Sequence, residues 1–181
     1  MSQQRYLVVA LAMGLAAALV AVVLLWVDRD DASPGASAPT SSASGPLDAD
    51  ALLGAGDDAE AAARDAVVRM TTYDWRTVDA DFTWVDDAGT EAFKTYFAGA
   101  SRDAKAVIAS LRATATGTVV DSASTVIDPS HVKVLLFVDQ EITARGQEGT
   151  KIDQPRVTMQ MVLVDGAWLV DQVAVNDLLT G

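Results

Sequence analysis

The chain contains no cysteine, a single histidine, and only 13 lysines and arginines against 25 aspartates and glutamates. The first absence excludes disulfides, thiolate metal sites, a cysteine nucleophile and a lipid-modified cysteine. The second means that two imidazoles cannot meet on one metal ion. The third leaves a net charge of −12 over 181 residues, which opposes any surface that must neutralise nucleic-acid phosphates or settle on anionic headgroups. A glycine-rich phosphate loop and a run of basic residues are also missing. What is plentiful is apolar: 50% of the residues are hydrophobic, enough for one domain with length left over.

Part of that surplus is concentrated at the start. Tyr6 to Val27 (YLVVALAMGLAAALVAVVLLWV) runs for 22 residues without a charge. About 20 apolar residues at a 1.5 Å rise cross a ~30 Å hydrocarbon core, so the run predicts a transmembrane helix. It is too long for the apolar region of a cleaved signal peptide, and the small-x-small site Ala36-Ser37-Ala38 is followed by Pro39. Arg5 before the run, against Arg29 among three aspartates after it, places the N-terminus in the cytoplasm. Trp26 suits the membrane interface. Residues Ala32 to Pro46 contain only Ala, Ser, Pro, Gly and Thr and have little to bury, which predicts a flexible tether. The expected map is a cytoplasmic N-terminus at 1–5, a single span at 6–27, a linker at 28–56 and an extracytoplasmic domain at 57–181. That domain carries eleven basic and twenty acidic residues, a net −9.

Within it, Asp57-x-x-Glu60 has the pattern of a capping box, and Ala63, Ala66, Val67 and Met70 form one stripe of a 3.6-residue period. A first helix is expected over 57–72, and a short second one from about Val78. Asp86-Asp87-Ala88-Gly89 reads as a turn, after which Thr90 caps a third segment. There Phe93, Tyr96, Phe97 and Ala100, then Ala104, Val107, Ile108 and Leu111, continue the helical spacing as one helix broken near Gly99 or as two in line. From Ala113 the period changes to two. Strands are expected at Thr114 to Ile127, Val132 to Ile142, Val157 to Leu163 and Trp168 to Val175. Asp128 to His131 turns the first pair, Asp165-Gly166 the last, and Arg145 to Pro155 is a polar loop. Three helices before four strands predict an α+β domain, with the helices packed across a curved antiparallel sheet to make a cone.

Candidate chemistry is sparse. His131 would need to be carried into the cone to serve a Ser-His-Asp triad. Asp79-x-Asp81 starts like a calcium loop, but Trp84 occupies the sixth position, where glycine is needed, and no glutamate stands at the twelfth. The pairs Asp57-Asp58 and Asp86-Asp87 are expected to cap a helix and open a turn. Asp139 and Asp171 lie on predicted strands, and either would become a base if an apolar cone enclosed it. By alternation Asp139 continues the Phe137 side, and Asp171 the side of Leu169 and Val173. The rings of Tyr73, Trp75, Phe82 and Trp84 are expected in the core. No catalytic, cofactor or metal residue is assigned, and the chain is read as a non-enzyme.

The apolar N-terminal helix, the Ala/Ser/Pro linker, VVRMTTYDWRTVDADF with Tyr73-Asp74-Trp75-Arg76 and Asp79, the Phe-Lys-x-Tyr-Phe helix and the final VDGAWLVDQV strand together resemble the actinobacterial Mce-associated membrane proteins. That resemblance spans nearly the whole chain. It implies an NTF2-like cone, similar to the periplasmic part of VirB8 secretion proteins, and a role beside Mce complexes that import lipids or sterols. The implied partners are Mce and permease subunits, with a lipid or sterol as a further ligand and no nucleic acid. A VirB8-like scaffold of a secretion or envelope complex is the alternative. NTF2-like folds also include isomerases and dehydratases, and fold alone does not choose among them.

Overall fold

The computed structural model describes residues 49–176. The expected span at 6–27 and the linker as far as residue 48 lie outside the described residues. Among the described residues, no helix is long and apolar enough to cross a membrane.

Helix α1 spans Ala49–Thr71, and its buried residues Gly56, Ala59, Ala63, Ala66, Val67 and Thr71 form one stripe. Small side chains let the helix lie close on the sheet: a Cβ at Gly56 would stand 3.1 Å from Val126. The helix starts eight residues before Asp57, so the capping-box expectation fails and the linker's last residues, 49–56, are helical. Asp57 and Asp58 are exposed side chains within the helix, and the acid in its first turn is Asp50. Gly54 and Gly56 mimic a linker in sequence, but the second is a packing glycine.

Strand β1 (Tyr73–Asp74) leads to two short helices, α2 (Val78–Asp81) and α3 (Trp84–Ala88). The turn expected at Asp86-Asp87 is instead helical, with both carboxylates in the first turn of α3, where the helix dipole favours them. Helix α4, Glu91–Leu111, runs unbroken through Gly99. Thr90 caps it as expected, accepting the Phe93 N–H at 3.2 Å. Its hydroxyl also donates to Asp171 at 3.0 Å, joining the helix start to the sheet. Thr90→Val keeps the shape but removes both bonds, and is expected to cost about 1–2 kcal/mol in urea denaturation.

The sheet follows the expected antiparallel order. Strands β2 (Thr114–Asp128) and β3 (His131–Thr143) form a long hairpin; β5 (Arg156–Val164) and β6 (Ala167–Asn176) form a second, turning at Asp165 and Gly166 with φ of 50° and 83°. Both positive angles are what a two-residue type I′ turn demands. The neighbour order is β1-β2-β3-β5-β6, and β4 (Lys151–Asp153), inside the expected polar loop, pairs with β3. Two short strands are thus added to the four expected.

Val132, Val134, Leu136 and Val138 of β3, with Val157, Met159 and Met161 of β5, present one buried face to the helices. Trp84, Phe93 and Phe97 pack against it, and the Trp84 and Phe97 rings meet edge-on at 5.3 Å. Phe82 touches Phe97 at 5.8 Å and helps form a smaller cluster with Tyr73, Trp75, Val78 and Ile108.

Candidate functional site

A cleft of about 400 Å³ lies at the β2–β3 turn, lined by Ile127, Asp128, His131, Gln160, Met161 and Asp171 among others. It brings together two of the three residues singled out for possible chemistry. The Asp128 carboxylate accepts the Ser130 N–H at 2.8 Å and the Ser130 hydroxyl at 2.9 Å, and both its oxygens lie 3.0 Å from His131 Nδ1. The Ser130 backbone N–H, followed by His131, holds the Asp128 carboxyl down at about 2. A depressed carboxylate stabilises the folded turn fully above its ordinary range, and the contribution is lost as pH falls through about 2. A carboxyl-carbon NMR titration of Asp128 should therefore place its midpoint near 2.

This Asp-Ser-His group is not a catalytic relay. A relay needs the hydroxyl on one imidazole nitrogen and the carboxylate on the other. Here Ser130 Oγ approaches the same Nδ1 that faces Asp128, at 3.3 Å, and the hydroxyl is itself bonded to the carboxylate. The three side chains close a turn.

Asp171 sits where β6 bulges between its pairings of Val170 with Met161 and Gln172 with Gln160. The extra residue switches the alternation. Leu169 pairs with Val162, whereas Val173 and Val175 beyond the bulge pack on the core, so the expected common side for Leu169 and Val173 fails. Asp171 itself is held at the rim by Thr90. Asp139 shares the outer sheet face with Phe137, away from the helices, and accepts the Gln154 amide at 2.7 Å.

The two acids of the Asp79-x-Asp81 pattern have structural partners. Asp79 pairs with Lys105 at 3.3 Å, and Asp81 accepts the Asp74 N–H at 2.8 Å and the Thr77 hydroxyl at 3.0 Å. Among the described residues no group of three His, Asp or Glu side chains could hold a metal ion.

A second feature lies at the end of α1 and was not legible in the sequence. Trp75, expected in the core, is half-buried beneath two guanidinium groups: Arg76 Cζ lies 4.5 Å and Arg112 Cζ 5.3 Å from its ring centroid. Arg112 follows α4 in the left-handed conformation at φ 48°, and the helix closes with Ala113 N–H on Ile108 O at 2.9 Å. Trp75 N–H bonds Ala113 O at 3.0 Å, and Arg145 N–H bonds Leu111 O at 2.7 Å, so three chain segments converge here. Tyr73, in the same cluster, is partly buried, which pushes its phenol above the usual range, aided by the Asp153 charge.

No family model matches the chain. Uncharacterized proteins from two strains of Mycobacterium tuberculosis, H37Rv and CDC 1551, are each 31% identical over 120 residues, covering 65% of this chain and 54% of the relative. The chain thus spans about half the length of the curated relatives it matches. Among solved structures, an IcmL-like type IV secretion system protein from Legionella pneumophila superposes with a TM-score of 0.55 at 9% identity, covering 67% of this chain and 92% of the other. The periplasmic domain of DotI superposes with a TM-score of 0.52 at 13% identity, covering 65% and 92%. At those identities the shared property is the α+β fold, with helices across an antiparallel sheet.

Proposed function

We propose that the chain is a non-enzymatic, membrane-tethered subunit that works by protein contact in an envelope complex, as a VirB8-like scaffold does. The observation that carries this reading is the fold shared with a type IV secretion system protein and with a periplasmic domain. The 22 uncharged residues from Tyr6 to Val27 supply the tether, and Arg5 favours an extracytoplasmic domain. Side chains support contact over carriage: Trp84, Phe93, Phe97 and Met159 belong to one buried cluster between the helices and the sheet.

The sequence resemblance to Mce-associated proteins, together with mycobacterial relatives, favours a second reading in which the complex is an Mce-type lipid or sterol importer. Cross-linking of the tagged full chain in its native membranes, followed by mass spectrometry, separates the two. Secretion or other envelope-assembly subunits are the expected capture; Mce and permease subunits would select the second reading. Recovery of no envelope protein would overturn both and return attention to Asp139 and Asp171. A reporter fused after Gly181 that is active only in the cytoplasm would overturn the topology.

A further inference from the structure

We propose that the Trp75 corner is a docking point for an acidic peptide segment of a partner protein, held by Arg112 and Arg145. The inference names a partner chemistry for the contact reading and rests on it in one respect, that the partner is a protein.

The domain carries nearly two carboxylates per cation, and four of its cations sit beside one: Arg69 with Asp65, Arg76 with Asp74, Lys94 with Glu91, Lys105 with Asp79. Arg112 and Arg145 are exposed, and among the described residues neither forms an ion pair. Other cations of the domain also stand outside these pairs; what sets Arg112 and Arg145 apart is that the Arg145 N–H bond to Leu111 O brings two of them to one place, beside a half-buried tryptophan.

The Arg112 guanidinium is also arranged in advance, and the Arg145 backbone is fixed beside it. The Arg145 backbone is tied to Leu111, the residue before Arg112, and the Arg112 guanidinium lies over Trp75, whose own N–H is tied to Ala113. A guanidinium over an indole is held by cation–π attraction, while its edge N–H groups stay available for a carboxylate. Prearrangement lowers the rotamer entropy lost on binding, and charge-assisted forked bonds favour carboxylates over neutral acceptors. Tryptophan and arginine together are also the residue types that dominate interface energies.

The shape of the charge selects a narrow partner. Asp74, Asp81 and Asp153 stand around the corner, so a bilayer or a nucleic-acid backbone broad enough to reach both arginines would meet these carboxylates too. Helix α1 also separates the corner from Ala49 by about 35 Å, at 1.5 Å for each of its 23 residues, which holds it away from a tether leaving that end. A single acidic strand or loop meets the arginines alone.

The test uses the full chain in non-ionic detergent, titrated with a rhodamine-labelled peptide of consecutive glutamates and read by fluorescence anisotropy. A glutamine peptide of equal length is the comparator, and glycerol phosphate, the charged headgroup unit of phosphatidylglycerol, is added as a competitor. The expected result is at least about tenfold tighter binding of the glutamate peptide than of the glutamine one, weakening with added salt. Arg112→Gln with Arg145→Gln should abolish that preference and, because both side chains are exposed and only the Arg112 contact with Trp75 is lost, lower the thermal midpoint by no more than a few degrees. Arg102→Gln, on the exposed face of α4, should bind like the wild type. Equal binding of the two peptides, an undiminished preference in the double variant, or displacement of the glutamate peptide by an equal concentration of glycerol phosphate would each overturn the proposal. Its failure is separable from failure of the scaffold reading, which is decided by which proteins cross-link in membranes.

Discussion

Gly117→Ala is expected to lower the thermal midpoint by about 10 °C, the equivalent of about 3 kcal/mol for a domain of this size. A Cβ at this position would overlap Thr71 Oγ1 and stand 2.7 Å from Thr71 Cβ. Thr71 cannot easily retreat: its hydroxyl bonds Val67 O at 2.7 Å, and its carbonyl accepts the buried Gln140 amide at 2.8 Å. Gly117 N–H in turn donates to Thr72 Oγ1 at 3.1 Å. The end of α1 is thus bolted to β2 and β3 at one place, and the glycine is the gap that allows it. Gly99→Ala supplies the opposite sign, because a Cβ there meets nothing within 4 Å in an exposed helix interior. That substitution should stabilise by about 0.5–1 kcal/mol. Pairing Gly117→Ala with Thr71→Gly should recover part of the loss. Equal midpoints for Gly117→Ala and the wild type would mean that α1 does not sit against β2 as described.

That bolt marks the boundary of what the sequence can disclose. Thr and Val richness marks the first main strand, a long apolar run the second and clean alternation the third, while Asp165-Gly166 and Thr90 announce their turn and cap through local chemistry. Features that depend on register or on approach between elements were hidden. The bulge at Asp171 inserts one residue and reverses the expected facing of Val173, which no alternation rule anticipates. Gly56 resembles linker until the sheet beneath it is known. The candidate chemistry divides in the same way: Asp128, Ser130 and His131 are neighbours in sequence and their turn was visible, although not the shared nitrogen that rules out a relay. Trp75, Arg112 and Arg145 belong to three separate segments, and only the closed end of α4 brings them together.

Trp84→Ala should be the most damaging truncation among the aromatic residues, lowering the unfolding free energy by about 3–5 kcal/mol, a large fraction of what a domain usually possesses. The indole is 3% exposed, touches Phe97 edge-on at 5.3 Å and lies 6.1 Å from Phe93. It is carried by α3, a helix of only five residues, which has almost no intrinsic stability and is held mainly by this burial. Removing the ring therefore leaves a cavity and also releases the segment that leads into Thr90 and the start of α4. Trp84→Phe should restore roughly half of the loss, since it refills part of the volume and keeps an aromatic edge for Phe97. Urea denaturation with an unchanged m-value would locate the effect in the native state. Trp75→Ala is the internal comparison, because its half-buried ring caps a surface cluster and its loss should cost far less. A Trp84→Ala midpoint equal to that of the wild type would mean that the cone is open at this point, and the carriage of a lipid would replace protein contact as the reading to pursue.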